Sequence, residues 1–542
     1  MLDKINLKKI MLKEEYKQEV PPFKQKMGEL QQRFKQAKVP VIVLFEGWGA
    51  SGKGSLMSNV ILTMDPRGFH VESTTPPTLE ERRHPYLWRF WKKLPARGTM
   101  GVFDRGWYQE LAFPSHALHL EQKELRERLE SVKIFERQLH DDGYLILKFF
   151  LHIGQREQKK RFDKLLSSKD TAWRVSLNDL EQNRRYDEYY QIIDGILEET
   201  NTDYAPWHVI GSEDKYSALA EIYHILVDGI GAAVEASREG KRSAPKKAVP
   251  IVVSDHFKLV KEPKLSEVNL TKALNEEEYR ELLKKEQSTL KKLHNKIYRK
   301  KIPVVIAYEG WDAAGKGGNI RRVAEALDPR GYEVVPIAAP TADELAHQHL
   351  WRFWTKLPKD GHITIFDRTW YGRVMVERIE GFTSTQRWQE AYTEINEMEA
   401  TLVEDGYILL KFLLIIDKEE QLARFKDRED TPEKHYKITD EDWRNHDKFD
   451  EYVEAMNDMI VRTSTSVAPW IVMPSMDKRY ARIHVLEHFI DAARAAFEKR
   501  GIKVDVPKAL MEETEHDIHA ENKVKTKQKE KKAESNGTQQ KG

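Results

Sequence analysis

Two glycine-rich segments of the chain each carry a lysine at a spacing suited to phosphate binding. The second, GWDAAGKGG (Gly310 to Gly318), follows a β-branched run and opens a predicted helix, which is the setting of a P-loop. Glycines let backbone N–H groups turn towards phosphate oxygens, the helix N-terminus adds a positive dipole end, and Lys316 adds a mobile charge. The alternative is a purely structural glycine-rich turn. The predicted phosphate-binding residues of this loop are Gly310, Ala313, Ala314, Gly315, Lys316, Gly317 and Gly318.

The loop departs from the usual pattern at one position. A Ser or Thr normally follows the lysine as a Mg²⁺ ligand, whereas Gly317 stands there in this chain. Other oxygens must then hold the metal. Asp312 within the loop and Asp367 at the end of a predicted strand are the candidates, because Mg²⁺ typically takes one or two carboxylates together with phosphates and waters.

A second carboxylate lies in ITIFDRTWYGR (Ile363 to Arg373), an apolar strand that ends in Asp367. In a P-loop fold this is the place of the carboxylate that orients the metal. Arg368, Arg373 and Arg378 follow, and arginines near a transferring phosphate offset its developing charge. The alternative for Asp367 is an ordinary turn or helix-capping residue.

A highly charged segment, Arg424 to Tyr452, follows the fourth predicted strand of the second unit. Nucleotide kinases often place a mobile helical lid here to exclude water and clamp phosphates. We expect Lys437 and Arg444 of this lid, and Arg322 of the helix after the loop, to contact phosphate. The alternative is a solvated helix with pairs of charges four residues apart.

The chain is a tandem repeat with a constant offset of 263 positions (310 minus 47). FEGWGASGKG returns as YEGWDAAGKG, FDRGWY as FDRTWY, and DGYLILKF as DGYILLKF. Strands alternate with helices in each copy, which predicts tandem P-loop kinase-like α/β/α domains of three layers, with parallel sheets and helical lids. The predicted domains are residues 1–240 and 268–505, joined by a linker at 241–267 and followed by a charged, disordered tail at 506–542.

The first copy has lost several of the groups that could do chemistry. Gly49 stands where the second copy has Asp312, and Glu110 stands where it has Arg373. A glutamate facing a polyanion weakens binding through like-charge repulsion. We therefore expect the first domain to be catalytically inactive; the alternative is that these changes retune its substrate choice.

Bulk composition narrows the class of protein. The 542 residues include 89 Lys+Arg and 88 Asp+Glu, for a formal net charge of +1. No global field therefore draws in nucleic acid or membranes, and we expect neither as a partner. Cysteine is absent, and no apolar run resembles a signal peptide or a membrane helix, so we expect a cytoplasmic protein. Two fused units predict an intrachain pseudo-dimer, in a monomer or homo-oligomer of chains.

These residues together resemble the polyphosphate kinase 2 family. The resemblance rests on GWDAAGKGG, LDPRGYEV, APT, FDRTWYGR, VERI and the KEEQLARFKDRE…DW…APW series, and it covers nearly all of both units. It implies Mg²⁺-dependent, reversible transfer of the terminal phosphate of inorganic polyphosphate to AMP, giving ADP. The tandem arrangement is similar to that of the family's polyphosphate:AMP phosphotransferases, whose C-terminal unit is the active one.

The same resemblance implies roles for five catalytic residues. Asp312 would position or deprotonate the acceptor phosphate and bind metal, Lys316 would hold the phosphate in transfer, and Asp367 would hold metal. Arg368 and Arg373 would stabilise the transition state. Other functions remain open: a polyphosphate-dependent nucleoside diphosphate kinase, an ATP-driven nucleotide kinase, and a non-catalytic binding regulator.

Overall fold

The computed structural model describes residues 1–112, 121–239 and 257–502 of the chain. The predicted tail lies outside this range, and so does most of the predicted linker. Residues 1–486 form one compact body that contains the first copy of the repeat and most of the second. The remaining described segment, 487–502, is helical as far as Lys499.

Each copy contains one five-stranded sheet in which all neighbouring strands are parallel. The strand order is β2-β3-β1-β4-β5 in the first copy and β7-β8-β6-β9-β10 in the second, which is the same arrangement. The strands are β1 (Val41–Gly47), β2 (Phe69–Ser73), β3 (Met100–Asp104), β4 (Leu145–His152), β5 (Trp207–Gly211), β6 (Val304–Gly310), β7 (Tyr332–Pro336), β8 (Ile363–Asp367), β9 (Ile408–Ile415) and β10 (Trp470–Pro474).

Helices alternate with the strands in both copies, as the sequence predicts. Those of the first copy are α1 (Lys13–Gln36), α2 (Lys53–Ile61), α3 (Trp88–Trp91), α4 (Gln109–Ala112), α5 (Gln122–Asp141), α6 (Gln155–Leu166), α7 (Leu177–Arg184), α8 (Tyr186–Glu199) and α9 (Lys215–Arg238). Those of the second copy are α10 (Glu276–Arg299), α11 (Lys316–Ala324), α12 (Ala342–Leu345), α13 (Trp351–Trp354), α14 (Val376–Ile379), α15 (Thr385–Glu404), α16 (Lys418–Asp430), α17 (Asp440–Asp447), α18 (Phe449–Thr463) and α19 (Lys478–Lys499).

The central strands β1, β4, β6 and β9 are almost entirely buried. Their continuous apolar runs are what a parallel sheet covered by helices on both faces requires. In the first copy, α9 packs against α1 and against β4 and β5. By length and composition α9 could cross a membrane, with a mean hydropathy of 1.3, but 61% of that window is buried inside the protein. A core helix produces the same pattern.

The two copies meet through symmetric contacts. Trp91 stacks on its counterpart Trp354 with ring centroids 5.4 Å apart. The backbone N–H of Arg97 donates to the carbonyl of Ala346, and the N–H of Asp360 donates to the carbonyl of Arg83, both at 2.8 Å. Each donor and acceptor has its counterpart 263 positions away, so the contact obeys a pseudo-twofold relation. The chain therefore contains the predicted intrachain pseudo-dimer.

A charged network also joins the two copies, but it has no counterpart at the positions related by the repeat. Arg137 of α5 donates to the carboxylate of Glu397 in α15 at 2.5 Å, and Arg387 of α15 donates to Asp142 at 3.1 Å. Burial raises the pKa of Glu394, which lies beside Arg387, to about 7. The repeat does not reproduce these groups, because Ser131 stands at the position that matches Glu394.

Candidate active site

The predicted phosphate loop of the second copy joins β6 to α11. Gly310 has φ of +131°, and an added Cβ would lie 2.1 Å from the carbonyl oxygen of Leu414, so no side chain fits there. Gly315 also has a positive φ, of +105°, and immediately precedes α11. Lys316 is half-buried and its Nζ donates to the carbonyls of Gly310 at 2.7 Å and Trp311 at 3.0 Å. The backbone thus forms the turn that a phosphate cradle needs, with the free N–H groups of a helix start beside a lysine.

Both oxygens of the loop carboxylate, Asp312, accept hydrogen bonds. Its Oδ1 accepts a hydrogen bond from Arg368 at 2.8 Å, and its Oδ2 accepts one from the side-chain amide of Asn445 at 2.8 Å. Burial acts to raise the pKa of Asp312, but the charges of Lys316 and Arg368 and the two hydrogen bonds outweigh it and leave the pKa below its usual value. Asp312 is therefore held as an anion in a fixed position next to the lysine of the loop.

The strand that ends in Asp367 reaches the same edge of the sheet. Asp367 is the register partner of Tyr308 in β6, two residues before Gly310. Within the described part of the chain, no hydrogen bond or ion pair is recorded for its carboxylate, which is half-buried. Arg368 follows with φ of +63°, a rare value for a residue with a side chain. This tight turn points the guanidinium of Arg368 towards Asp312.

Buried hydrogen bonds explain why this turn has the sequence FDRTWY. Glu309 accepts from both the backbone N–H and the hydroxyl of Thr369 at 2.7 Å. Trp370 and Tyr371 donate to a buried Glu399, which pairs with Lys411 at 2.8 Å. The first copy repeats this network with Trp107, Tyr108, Glu136 and Lys148. The aromatic residues of the segment are therefore anchors that fix Asp367 and Arg368.

The two later arginines have different surroundings. Arg373 pairs with Glu377 at 2.8 Å and donates to Thr383, and its Nε is buried without a hydrogen-bond partner. Arg378 instead donates to Asp458 of α18 at 2.8 Å and lies over the ring of Trp388. These contacts make Arg378 a tether between helices, which argues against the phosphate-binding role that the sequence predicts for it.

The predicted lid is a helical segment that closes over the loop. The Arg424 side chain, on α16, is buried and donates to the carbonyl of Ala313 at 2.9 Å. Gln421 donates to the carbonyl of Asp312 at 3.2 Å. Arg444 of α17 is exposed, whereas the side chain of Lys437 lies outside the described part of the chain. The lid thus contacts the loop through Arg424, Gln421 and Asn445, none of which the sequence singled out as loop contacts.

Cations also line the opposite side of the loop. An Arg482 nitrogen, on α19, lies 3.2 Å from the point where a Cβ on Gly318 would stand. Burial lowers the pKa of Lys478, and the nearby charges of Arg424 and Arg482 add to that effect. Arg322 of α11 donates to Tyr279 at 3.3 Å and pairs with Glu325. The start of α11 therefore faces a cluster of positive charge to which Arg482 and Lys478 belong.

The phosphate loop of the first copy has the same lysine contacts as that of the second, but different polar groups lie around it. Lys53 donates to the carbonyls of Gly47 and Trp48 at 2.8 and 2.9 Å, as Lys316 does to its counterparts. It is only 8% exposed, and burial, with Arg105 next in importance, lowers its pKa to about 8. A Cβ added to Gly49 would lie 2.5 Å from Oδ1 of Asp179, a lid residue. A carboxylate therefore lies at the loop after all, but the lid supplies it.

Comparisons with known proteins agree with the repeat. The family model described as polyphosphate kinase 2 matches residues 10–238 and again 273–501. A polyphosphate:AMP phosphotransferase of Pseudomonas aeruginosa is 42% identical over 90% of this chain and 97% of its own length. One from Acinetobacter johnsonii is 36% identical over 84% of this chain and 91% of its own. A crystal structure of a polyphosphate kinase 2 from P. aeruginosa, 39% identical, superposes with a TM-score of 0.80 over 92% of this chain and 100% of its own.

Proposed function

The chain belongs to the polyphosphate kinase 2 family, and we propose that it is a polyphosphate:AMP phosphotransferase that works through its second copy. It transfers the terminal phosphate of inorganic polyphosphate to AMP and releases ADP. The observation that carries the proposal is the fixed position of the Asp312 carboxylate beside Lys316. Its two oxygens accept hydrogen bonds from Arg368 and Asn445. The relatives that share the tandem arrangement over most of their length support AMP as the acceptor.

The residues around the loop divide the reaction between them. Lys316 and the N–H groups at the start of α11 hold the phosphate in transfer. Asp312, ionised and fixed, orients the phosphate of AMP that attacks. Arg368 and Arg373 offset the negative charge that builds up during transfer. The cluster of Arg482 and Lys478 faces the first turn of α11, where a polyanionic donor gains from positive charge.

We propose Mg²⁺ as the metal of this site. The described residues hold no group of three or more metal-binding side chains, but Mg²⁺ needs only one or two carboxylates because phosphates and waters complete its shell. Asp367, with no recorded partner, and Asp312 supply hard oxygen ligands of this kind. The bound ion would neutralise charge on the phosphates.

The direct test is to incubate the chain with Mg²⁺, AMP and long-chain polyphosphate and to measure ADP. ADP formation that requires all three and stops on chelation with EDTA is the expected result. ADP formed only when ATP replaces polyphosphate would instead identify an ordinary nucleotide kinase. Activity on ADP or GDP but not on AMP would assign the chain to diphosphate acceptors.

A paired substitution assigns the activity to one copy. Lys316→Ala should remove ADP formation, since the lysine charge at the phosphate in transfer is lost. Lys53→Ala, the same change at the matched position of the first copy, should leave turnover within about twofold. Equal loss in both variants would contradict the proposed division.

A further inference from the structure

A cavity of about 280 Å³ opens beside the phosphate loop of the first copy. Its wall includes the loop residues Gly47 and Gly49, the turn after β3, the start of α4 and the lid helix α7. The matched positions in the second copy include Asp312, Arg368 and Arg373. Asp312 is assigned above to the acceptor phosphate, and the two arginines to the charge that develops as phosphate passes to it. The cavity therefore corresponds to the acceptor side of the active copy, and the inference that follows rests on that proposed function.

Arg105 is the cation of this cavity, and it is not neutralised as its counterpart is. In the second copy Arg368 pairs with Asp312 at 2.8 Å and with Glu441 at 3.5 Å. The first copy has Gly49 and Asn178 at those two positions. Over the described residues, Arg105 has no ion pair within 4.0 Å. A guanidinium that lines a cavity without a directly paired carboxylate can bind one anionic group.

The carboxylates of the cavity have partners of their own. Glu110 lies 3.8 Å from Arg89, and Asp179 accepts from the backbone N–H and the hydroxyl of Ser176 at 2.9 and 2.7 Å. They remain able to accept further hydrogen bonds from hydroxyl groups. The remaining wall combines amides and hydroxyls with an apolar face formed by Pro76 and Pro77.

The donor side of the same copy lacks two cations of the second copy. A Cβ on Gly49 would lie 2.5 Å from Oδ1 of Asp179, and Gln182 accepts a hydrogen bond of 3.0 Å from the backbone N–H of Gly49. Lys53 is buried behind them. Leu219 and Asn59 stand at the positions of Arg482 and Arg322. Lys215 and Arg161 keep the charges of Lys478 and Arg424, but a phosphate chain still meets fewer cations here than in the second copy.

We propose that this cavity binds a nucleoside monophosphate and holds it without phosphorylating it. One cation matches a single phosphate group, whereas a polyphosphate chain needs a row of them. The carboxylates and amides can bind ribose hydroxyls and base edges, and the two prolines offer a surface for a base. Its volume lies near the lower end of the roughly 300–1,000 Å³ usual for small-molecule sites, which suits one molecule of this size.

The test is the number of AMP molecules bound per chain, measured by isothermal titration calorimetry of the full chain without polyphosphate. Asn178→Glu restores the acid that the second copy has and neutralises Arg105; because Asn178 is exposed, folding should be unaffected. This variant should weaken one class of AMP site about tenfold or more. Arg105→Gln should do the same by removing the charge.

The control is Leu180→Glu, which adds the same charge to the same helix at an exposed position outside the cavity wall and should leave AMP binding unchanged. Arg368→Gln should affect only the other class of site. If Asn178→Glu and Leu180→Glu bind AMP with the same stoichiometry and affinity, the inference is wrong. This test is independent of the proposed activity. If the chain formed no ADP but the Asn178→Glu variant lost one class of AMP site, the inferred site would still be present.

Discussion

The two copies share one backbone and differ in what their lids bring to the phosphate loop. Arg105 and Arg368 have φ of +62° and +63°, and Ala50 and Ala313 have φ of +56° and +62°. Lys53 and Lys316 bind the same pair of carbonyls. This backbone geometry does not distinguish the two loops. The difference lies in the polar groups around it.

The lid contact differs in kind between the copies. In the second copy an amide of the lid, Asn445, holds a carboxylate of the loop, Asp312. In the first, Asp179 and Gln182 of the lid approach a glycine of the loop. A carboxylate on the loop stays beside the phosphate site when a lid opens, whereas one on the lid leaves with it. The carboxylate near the loop thus belongs to the loop in the second copy and to the lid in the first, and the proposed division between the copies can be tested there.

The largest expected effect comes from removing the charge of Asp312. Asp312→Asn keeps the shape of the side chain but removes the anion that Arg368 and Lys316 surround. We expect ADP formation to fall about 10³-fold, or about 4 kcal/mol of transition-state stabilisation. Asp179→Asn, which changes the lid carboxylate beside the loop of the first copy, should leave ADP formation within about twofold. A comparable loss in both variants would show that the first copy takes part in catalysis.

The next effect concerns stability and tests whether Asp179 really fills the loop of the first copy. A side chain at Gly49 would meet Oδ1 of Asp179 at 2.5 Å and the ring of Phe162 at 3.0 Å. Gly49→Asp should therefore cost about 2 to 3 kcal/mol of unfolding free energy, through overpacking and repulsion between two carboxylates. Thermal unfolding of the full chain measures it.

Two variants control that measurement. Gly54→Asp makes the same substitution where an added Cβ meets nothing within 4 Å, and it should change stability little. Asp179→Gly in the Gly49→Asp background should recover most of the loss. If the double variant is no more stable than Gly49→Asp alone, Asp179 is not the group that excludes a side chain from position 49.

The sequence predicted the sheet well, because buried parallel strands are continuous apolar runs and the repeat shows each of them twice. The apolar runs of the second copy predict four strands within one or two residues of the observed bounds: Val304 to Tyr308, Tyr332 to Ile337, Ile363 to Phe366 and Ile408 to Ile416. The fifth, β10, was missed: it has five residues and ends in Pro474. The sequence after the loop predicts a helix at Asn319 to Leu327, whereas α11 begins at Lys316, since closing the phosphate loop outweighs the poor helix propensity of two glycines.

The site was predicted only as far as local spacing reaches. Asp312, Lys316, Asp367 and Arg368 follow directly from the loop and the strand end. Asn445 and Asp312 are 133 positions apart in sequence, and no periodic pattern predicts a contact over that separation. Arg378 illustrates the converse limit, because it stands near the arginines of the site in sequence while its guanidinium donates to Asp458; its phosphate-binding role stays a prediction.

The smallest expected effect on turnover comes from substituting Asn445. Its side chain donates to Asp312 and accepts from the hydroxyl of Tyr452 at 3.1 Å. Asn445→Ala removes one hydrogen bond to a charged group, worth about 1.5 kcal/mol, so turnover should fall about tenfold. Gln182→Ala, the matched change, should leave turnover unaltered.

The pH profile of the Asn445→Ala variant separates a role in positioning Asp312 from simple loss of packing. Because the hydrogen bond stabilises the ionised form, its removal raises the pKa of Asp312, and activity should then decline at a higher pH on the acid side. An unshifted acid limb with reduced turnover would mean that Asn445 holds the lid and not the charge.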